Sequence, residues 1–265
     1  MAVIYLHRYI MDNIQKKLLL KKKKRILSIL NLVSSFDETK ILFDGNKDDK
    51  FSKILNSSLM SSLSNKTLLN DTFLKMKGLT GRKYRMMINS LINLLDKPSY
   101  IEIGSWLGSS ACSASYNNNL KITCIDNWSQ NFIPELNPKI EFTKNINKAL
   151  SKESKINIIN KDFREVNYEK LDQHDVFFMD GPHHYQDHFD AICLIQPALK
   201  NSHIMIIDDW NWKQVRNATF DSIKKNKLEI ISSIEIRTTQ DDSSSLIIGE
   251  NSDWHQGCIF LNIKK

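Results

Sequence analysis

Two histidines and five carboxylates carry the chemistry this chain can do. His183 and His184 stand side by side in Asp180-Gly181-Pro182-His183-His184-Tyr185. Imidazole titrates near neutral pH, so either ring can take a proton from an attacking group. The acids recur at the ends of short apolar runs. Glu102 lies in Tyr100–Ile103, Asp126 follows Leu120–Ile125, and Asp180 follows His174–Met179. Asp208 and Asp209 follow His203–Ile207. An acid at such a place either caps the next helix or serves a ligand. Their recurrence favours the second reading.

Those runs are rich in β-branched and aromatic residues and are separated by helical stretches, which predicts buried parallel strands. All strands of such a sheet end on one edge, so the five acids gather along one rim, where ligands bind. The turn after the first of these strands is Gly104-x-x-x-Gly108. Glycine lets backbone turn sharply or approach a ligand there. The spacing is neither Gly-x-Gly-x-x-Gly nor a phosphate loop, which argues against a nicotinamide cofactor. Helices are expected at Ser109–Tyr116, Lys139–Ser151, Gln186–Leu199 and Trp212–Lys225. Tyr84, Met87, Ile88, Leu91, Ile92 and Leu95 predict another before the turn at Pro98. Gly78 and Gly81 before it suit either a helix start or a moving lid. Further strands are expected at Ile156–Ile159, Leu228–Arg237 and Cys258–Ile263.

Tyr100–Ser110, Ile125–Trp128, Met179–Tyr185 and Ile206–Trp210 occur in the order found in class I S-adenosylmethionine-dependent methyltransferases. The chain resembles that family from about Lys75 to its C-terminus. It is most similar to the methyltransferase 24-like group, which pairs Glu-Ile-Gly-x-x-x-Gly with Asp-Gly-x-His-x-Tyr. The resemblance implies an α/β, Rossmann-like, doubly wound sheet of seven mostly parallel strands with a C-terminal antiparallel hairpin. It also implies an S-adenosylmethionine cofactor. One departure is Asn201-Ser202, where the family has Gly-Gly; Asn can still turn the chain.

The resemblance assigns roles along the rim. A diol needs a carboxylate that accepts two hydrogen bonds, which is the part of Asp126 toward the ribose. Glu102, Gly104, Ser105, Gly108 and Ser110 line the methionine tail. Trp128 and Phe163 flank adenine, with Asp162 accepting from its amino group; Trp128 serves equally well as core. Asp180, Asp208 and Asp209 would repel one another unless protonated or bridged by a cation. A hard ion such as Mg²⁺ suits their oxygens, as in similar metal-dependent sugar and catechol O-methyltransferases. Without metal, the acids would only orient loops and helix starts. His183 matches the motif histidine and is the expected base, with His184 second and Asp180 beside them. Trp210, Trp212, Tyr185 and Trp254 offer an aromatic wall for an acceptor, by resemblance a sugar or small-molecule hydroxyl.

The 265 residues carry a net charge of +7, with 41% hydrophobic and 25% charged residues. This suits one large α/β domain with a helical extension. Seven of the basic residues lie between Lys16 and Arg25, so the rest is close to neutral and a nucleic-acid acceptor is disfavoured. Cys112, Cys124, Cys193 and Cys258 lack metal or disulfide spacing and read as buried residues of a reduced protein. No run approaches membrane-spanning length, and Arg8 and Asp12 interrupt the N-terminal apolar stretch. Cytoplasmic location is the expectation. Residues 1–74 read as a basic helical extension and linker, with Ser34–Asn70 as a linker with short helices, and residues 75–265 as the methyltransferase domain. Lys16–Arg25 suits a membrane surface or acidic partner, or a helix packed on the body or on a second subunit of a homo-oligomer. Two other functions use that helix: a non-catalytic scaffold with this fold, and an RNA or protein methyltransferase docking through it.

Overall fold

The computed structural model describes residues 21–22 and 39–265. Lys16–Arg25 therefore lies outside the described residues except for 21 and 22. The compact unit that holds the sheet is Thr39–Lys265. Among the described residues no helix is long and apolar enough to cross a membrane.

Five parallel strands form the centre. They are β2 (Ser99–Ile103), β3 (Lys121–Ile125), β4 (Lys155–Ile159), β5 (His174–Met179) and β6 (Leu199–Asp208). β1 (Lys40–Gly45), β7 (Glu229–Arg237) and β8 (Cys258–Lys264) complete the order β1-β7-β8-β6-β5-β2-β3-β4. β8 runs antiparallel to both β6 and β7, the expected hairpin. The chain goes outward from β2 through β3 to β4, then returns to place β5 on the other side of β2. This reversal opens a crevice at the carboxyl ends of β2 and β5.

Period-two alternation sends successive side chains of each strand into two separate cores. Tyr100, Phe178, Ile204 and Ile206 face one, under α1 (Lys50–Leu63), α3 (Arg82–Leu94), α4 (Ser109–Ser115) and α5 (Pro138–Ala149). The short α2 (Asp71–Leu74) adds Phe73 and Leu74 to it. Ile101, Ile103, Met179, Met205 and Ile207 face the other, under α6 (Tyr185–Leu194) and α7 (Lys213–Lys225). Tyr84 of α3 packs on Phe178 and Phe260, with ring centroids 5.9 and 5.8 Å away.

Four sequence expectations change. The sheet has an eighth strand, because β1 pairs antiparallel with β7 from Lys40–Arg237 to Gly45–Ser232. Ser34–Asn70 is thus no plain linker; it contributes β1 and the 14-residue α1, whose buried Leu55 and Leu59 join the core. Asn201 and Ser202 make no turn: β6 runs through them, and Ser202 pairs with Lys264. The helix expected to reach Leu199 ends at Leu194, because Pro197 cannot continue it and a short 3₁₀ turn follows.

Gly78 and Gly81 sit where neighbours pass closely. A Cβ on Gly78 would lie 2.4 Å from Ser109 Cβ, and one on Gly81 would lie 2.4 Å from the Asp253 carbonyl oxygen. The segment between them is held by buried Arg85, which donates to the carbonyls of Phe73, Met76 and Thr80 at 2.9, 2.9 and 2.7 Å. That packing makes the pair the entry to α3.

Candidate active site

The turn after β2 starts the site. Gly104 has φ +90°, and a Cβ there would lie 1.8 Å from the carbonyl oxygen of Asp180. Only glycine allows the ends of β2 and β5 to nest this closely. Gly104 N donates to Ile125 O at 2.9 Å, and Asp180 N donates to Ile103 O at 2.9 Å, so three strand ends are tied together. The small, buried residues of α4 let that helix sit tightly behind the turn.

Glu102 is fully buried beneath it. Its Oε2 accepts from Tyr100 Oη and Ser110 Oγ, both at 2.9 Å. Burial pushes its carboxyl up to about 7, against the nearby hydroxyls of Ser105, Tyr100 and Ser110. Asp126 ties two loops at once. Its Oδ2 accepts from Trp106 N at 2.7 Å and its Oδ1 from Trp128 N at 2.6 Å. Each carboxylate oxygen keeps a second lone pair for a ligand.

A cleft of about 350 Å³ opens above these groups. Gly104, Ser105, Ser110, Asp126, Asp162, Phe163, Asp180, His183 and Asp209 line it, so most of the sequence-derived site converges. Glu102, Gly108, Trp128, His184 and Asp208 do not line it. Glu102 and Asp208 lie underneath, fully buried. Gly108 caps α4 and faces Phe142. The Trp128 ring packs against Phe142 at 5.4 Å and donates its Nε1 to Trp106 O at 3.0 Å, so Trp128 is core-packed and does not flank the cleft. Trp106 and Phe132 are the aromatic pair at the mouth instead, edge to face at 5.3 Å. Sequence reasoning passed over both, since neither lies at a strand end or at a periodic position.

At the β5–β6 end, one ligand atom from each of Asp180, Asp208 and Asp209 lies within 4.8 Å of the others. Both oxygens of Asp208 lack a hydrogen-bond partner among the described residues. Burial, then Asp208 and Asp209, push the Asp180 carboxyl well above its usual range; burial, then Asp209, do the same to Asp208. The partnerless oxygens of Asp208, with the Asp180 and Asp209 carboxylates beside them, fit a hard divalent cation, or else share a proton.

Asp209 differs. Its Oδ2 lies 2.7 Å from His183 Nδ1, and its Oδ1 lies 3.9 Å from His255 Nε2. Burial pulls its carboxyl upward, but His183, His255 and His188 together hold it below the usual range. His183 is correspondingly raised: burial works against the charge, and the contact with Asp209 outweighs it. His184 is exposed and precedes α6 without capping it, so it is not beside the cleft. Of the expected aromatic wall only Trp212 lines the cleft. Trp210 and Trp254 are buried in the cores, and Tyr185 points to Asp221, at 2.7 Å. Buried His255 and His188 were not legible from the sequence. His255 owes its place to a left-handed residue in the β7–β8 loop, φ 51°.

Residues 101–210 match the family model described as a methyltransferase domain. The span runs from β2 past the end of β6, so it carries the Gly104 turn and all the rim acids. No curated protein matches the sequence. Among solved structures, a candidate methyltransferase complexed with SAH shares 12% identity over 68% of this chain and 49% of its own, at a TM-score of 0.45. A candidate S-adenosylmethionine-dependent methyltransferase from Streptococcus mutans shares 13% identity over 69% and 48%, at 0.46. The ribosomal protein L11 methylase of Lactobacillus delbrueckii subsp. bulgaricus shares 13% over 71% and 81%, at 0.44. The chain spans about half the length of the first two.

Proposed function

We propose that this chain, a class I methyltransferase by the family of its residues 101–210, binds S-adenosylmethionine and transfers the methyl group to a hydroxyl of a sugar or other small molecule. The observation that carries the reading is one cleft shared by Asp126 beside the Gly104 turn and by the His183–Asp209 pair.

The residues divide the work. Asp126 accepts from the ribose diol while its backbone contacts keep the two flanking loops in place. Ser105 and Ser110 reach the methionine tail above Glu102. Asp162 and Phe163, both in the cleft wall, serve the adenine. The acceptor enters at the β5–β6 end, beside Trp212. S-adenosylmethionine would supply an electrophilic methyl group there, and the part of the site is to hold the acceptor oxygen close to it and in line. His183 takes the hydroxyl proton on the ring nitrogen that Asp209 does not engage. A divalent cation held by the rim carboxylates would supply Lewis acidity that lowers the pKa of a bound hydroxyl.

Calorimetric titration with S-adenosylmethionine tests the cofactor, in EDTA and then in Mg²⁺. Methyl transfer to catechol and to free sugars then tests the acceptor class. His183→Ala is expected to keep cofactor binding and to lower turnover by about 10²–10⁴-fold. Turnover equal to wild type would remove His183 from the reaction.

A further inference from the structure

The sheet ends on β1, and β1 is not built like a protected edge. It pairs with β7 along Lys40–Gly45 without a bulge, and among the described residues no strand lies on its other side. Edges that stay free are usually short, bent, or marked by proline or charge along their length. β1 has its charges at Lys40 and Asp44 and keeps Ile41, Leu42 and Phe43 between them. Leu42 is 45% exposed and Phe43 39%.

The backbone groups that face outward follow from the ladder. Asn46 N donates to Ile231 O at 2.9 Å, just past the pair Gly45–Ser232. Antiparallel ladders alternate bonded and unbonded pairs, so Asp44, Leu42 and Lys40 bond inward to β7. The N–H and C=O groups of Ile41 and Phe43 therefore point away from the sheet. A second antiparallel strand satisfies them only if its own outward groups fall at matching places.

A second copy of β1 does this. Set antiparallel about an axis through Leu42, Ile41 meets the partner's Phe43 and Phe43 meets the partner's Ile41, so each outward-facing residue can exchange both hydrogen bonds with another. Leu42 meets the partner's Leu42. Lys40 meets the partner's Asp44, and Asp44 meets the partner's Lys40, so the charges at both ends are opposite in sign. A slip of two residues is the smallest that keeps every side chain on its face, and it sets Leu42 against Lys40 or Asp44. Across β7, Ile41 and Phe43 lie beside Ile236 and Ile234, members of the core under α1 and α3, so the pairing continues that core across the axis. β4, the other edge of the sheet, has no such match: centred on Asn157, the same pairing sets Lys155 against Ile159.

We propose that β1 is a homodimerisation strand: two copies of this chain join β1 to β1 antiparallel about a twofold axis at Leu42, with Lys40 of each against the partner's Asp44. The inference stands apart from the methyl-transfer reading and does not rest on it.

Sedimentation equilibrium of the full chain over a dilution series tests it, at low ionic strength, where exposed pairs are least screened. Wild type is expected to form a species of twice the 30.8 kDa chain mass that dissociates on dilution. Lys40→Asp and Asp44→Lys each set like charges opposite one another at both ends, and each is expected to weaken the dimer by about tenfold or more. Mixed together, these two variants offer opposite charges at both ends again and are expected to pair with each other at close to wild-type affinity. Phe43→Pro removes an outward N–H that β7 does not use and is expected to leave a monomer. Circular dichroism checks each fold, and the charge variants and their mixture carry the test if Phe43→Pro does not fold. A wild type that stays monomeric at its highest soluble concentration would overturn the proposal. So would dimers that survive both single charge changes, or a mixture that stays monomeric.

Discussion

At the scale of single residues, position within the turn matters more than residue type. Gly104 and Gly181 lie on neighbouring strand ends, yet their substitutions should differ sharply. Gly104→Ala forces a side chain into the Asp180 carbonyl at φ +90° and is expected to cost upward of about 3 kcal/mol in urea unfolding. Gly181→Ala meets only the flexible end of Met179, 3.1 Å away, and should stay within about 1 kcal/mol. Similar costs would contradict the nested turn. His203 gives a pH test away from the cleft. Its Nδ1 donates to Lys200 O at 2.8 Å, its Nε2 has no partner among the described residues, and burial pushes the imidazole down to about 4 from 6.5. A base depressed on folding gives stability that is present above the unfolded pKa and lost as pH falls toward the folded one. Wild type should therefore lose stability relative to His203→Gln between pH 6.5 and 4. A constant difference across that range would show that the ring titrates normally. Asp126, Asp180 and His183 were legible because each closes an apolar run or a spaced motif. Trp128 was left open between adenine and core because the sequence does not record which way a ring turns once its backbone takes φ 50°.

At the scale of elements, the central strands were readable because burial on both faces writes continuous apolar runs. The observed β5, His174–Met179, coincides with the expected one. β1 was not readable: it is an edge strand, largely exposed, and Lys-Ile-Leu-Phe-Asp-Gly has no alternation to mark it. Helix α1 was expected only as a short helix in a linker, and its 14-residue length was not readable for a related reason. Its buried face is shared by Ser52, Ser58 and Ser62 with Leu55 and Leu59, so serine-rich sequence resembled a linker. Its start is nonetheless well defined. Asp49 accepts from Phe51 N and Ser52 N at 2.8 and 3.3 Å and from Asn262 Nδ2 at 2.6 Å. Asp49→Ala should cost about 1–2 kcal/mol in urea unfolding, from loss of the N-cap and of the partner of buried Asn262. A negligible cost would mean that α1 contributes little to the body. Inside β6, Asn201 and Ser202 stay extended because β8 reaches far enough to pair with them. That pairing is a long-range effect that local turn preference cannot record.

At the scale of the molecule, one sheet brings distant residues to a single edge. One ligand atom from each of Asp180, Asp208 and Asp209 lies within 4.8 Å of the others, and Asp209 takes φ 55° just past the end of β6. The gathering of acids along the rim follows from parallel strands, and so it was legible. Every described residue that lines the cleft lies in the compact unit Thr39–Lys265, and a chain beginning at residue 39 should bind the cofactor as the full chain does. Weaker binding by the shortened chain would assign part of the site to residues 1–38. The central claim is that Asp126 and the Gly104 turn form an S-adenosylmethionine site. Calorimetric titration of the purified protein with S-adenosylmethionine, repeated with Asp126→Ala, tests it most directly. Saturable one-site binding by wild type that vanishes in the variant is the expected result; no binding by wild type, in EDTA or in Mg²⁺, would contradict the account.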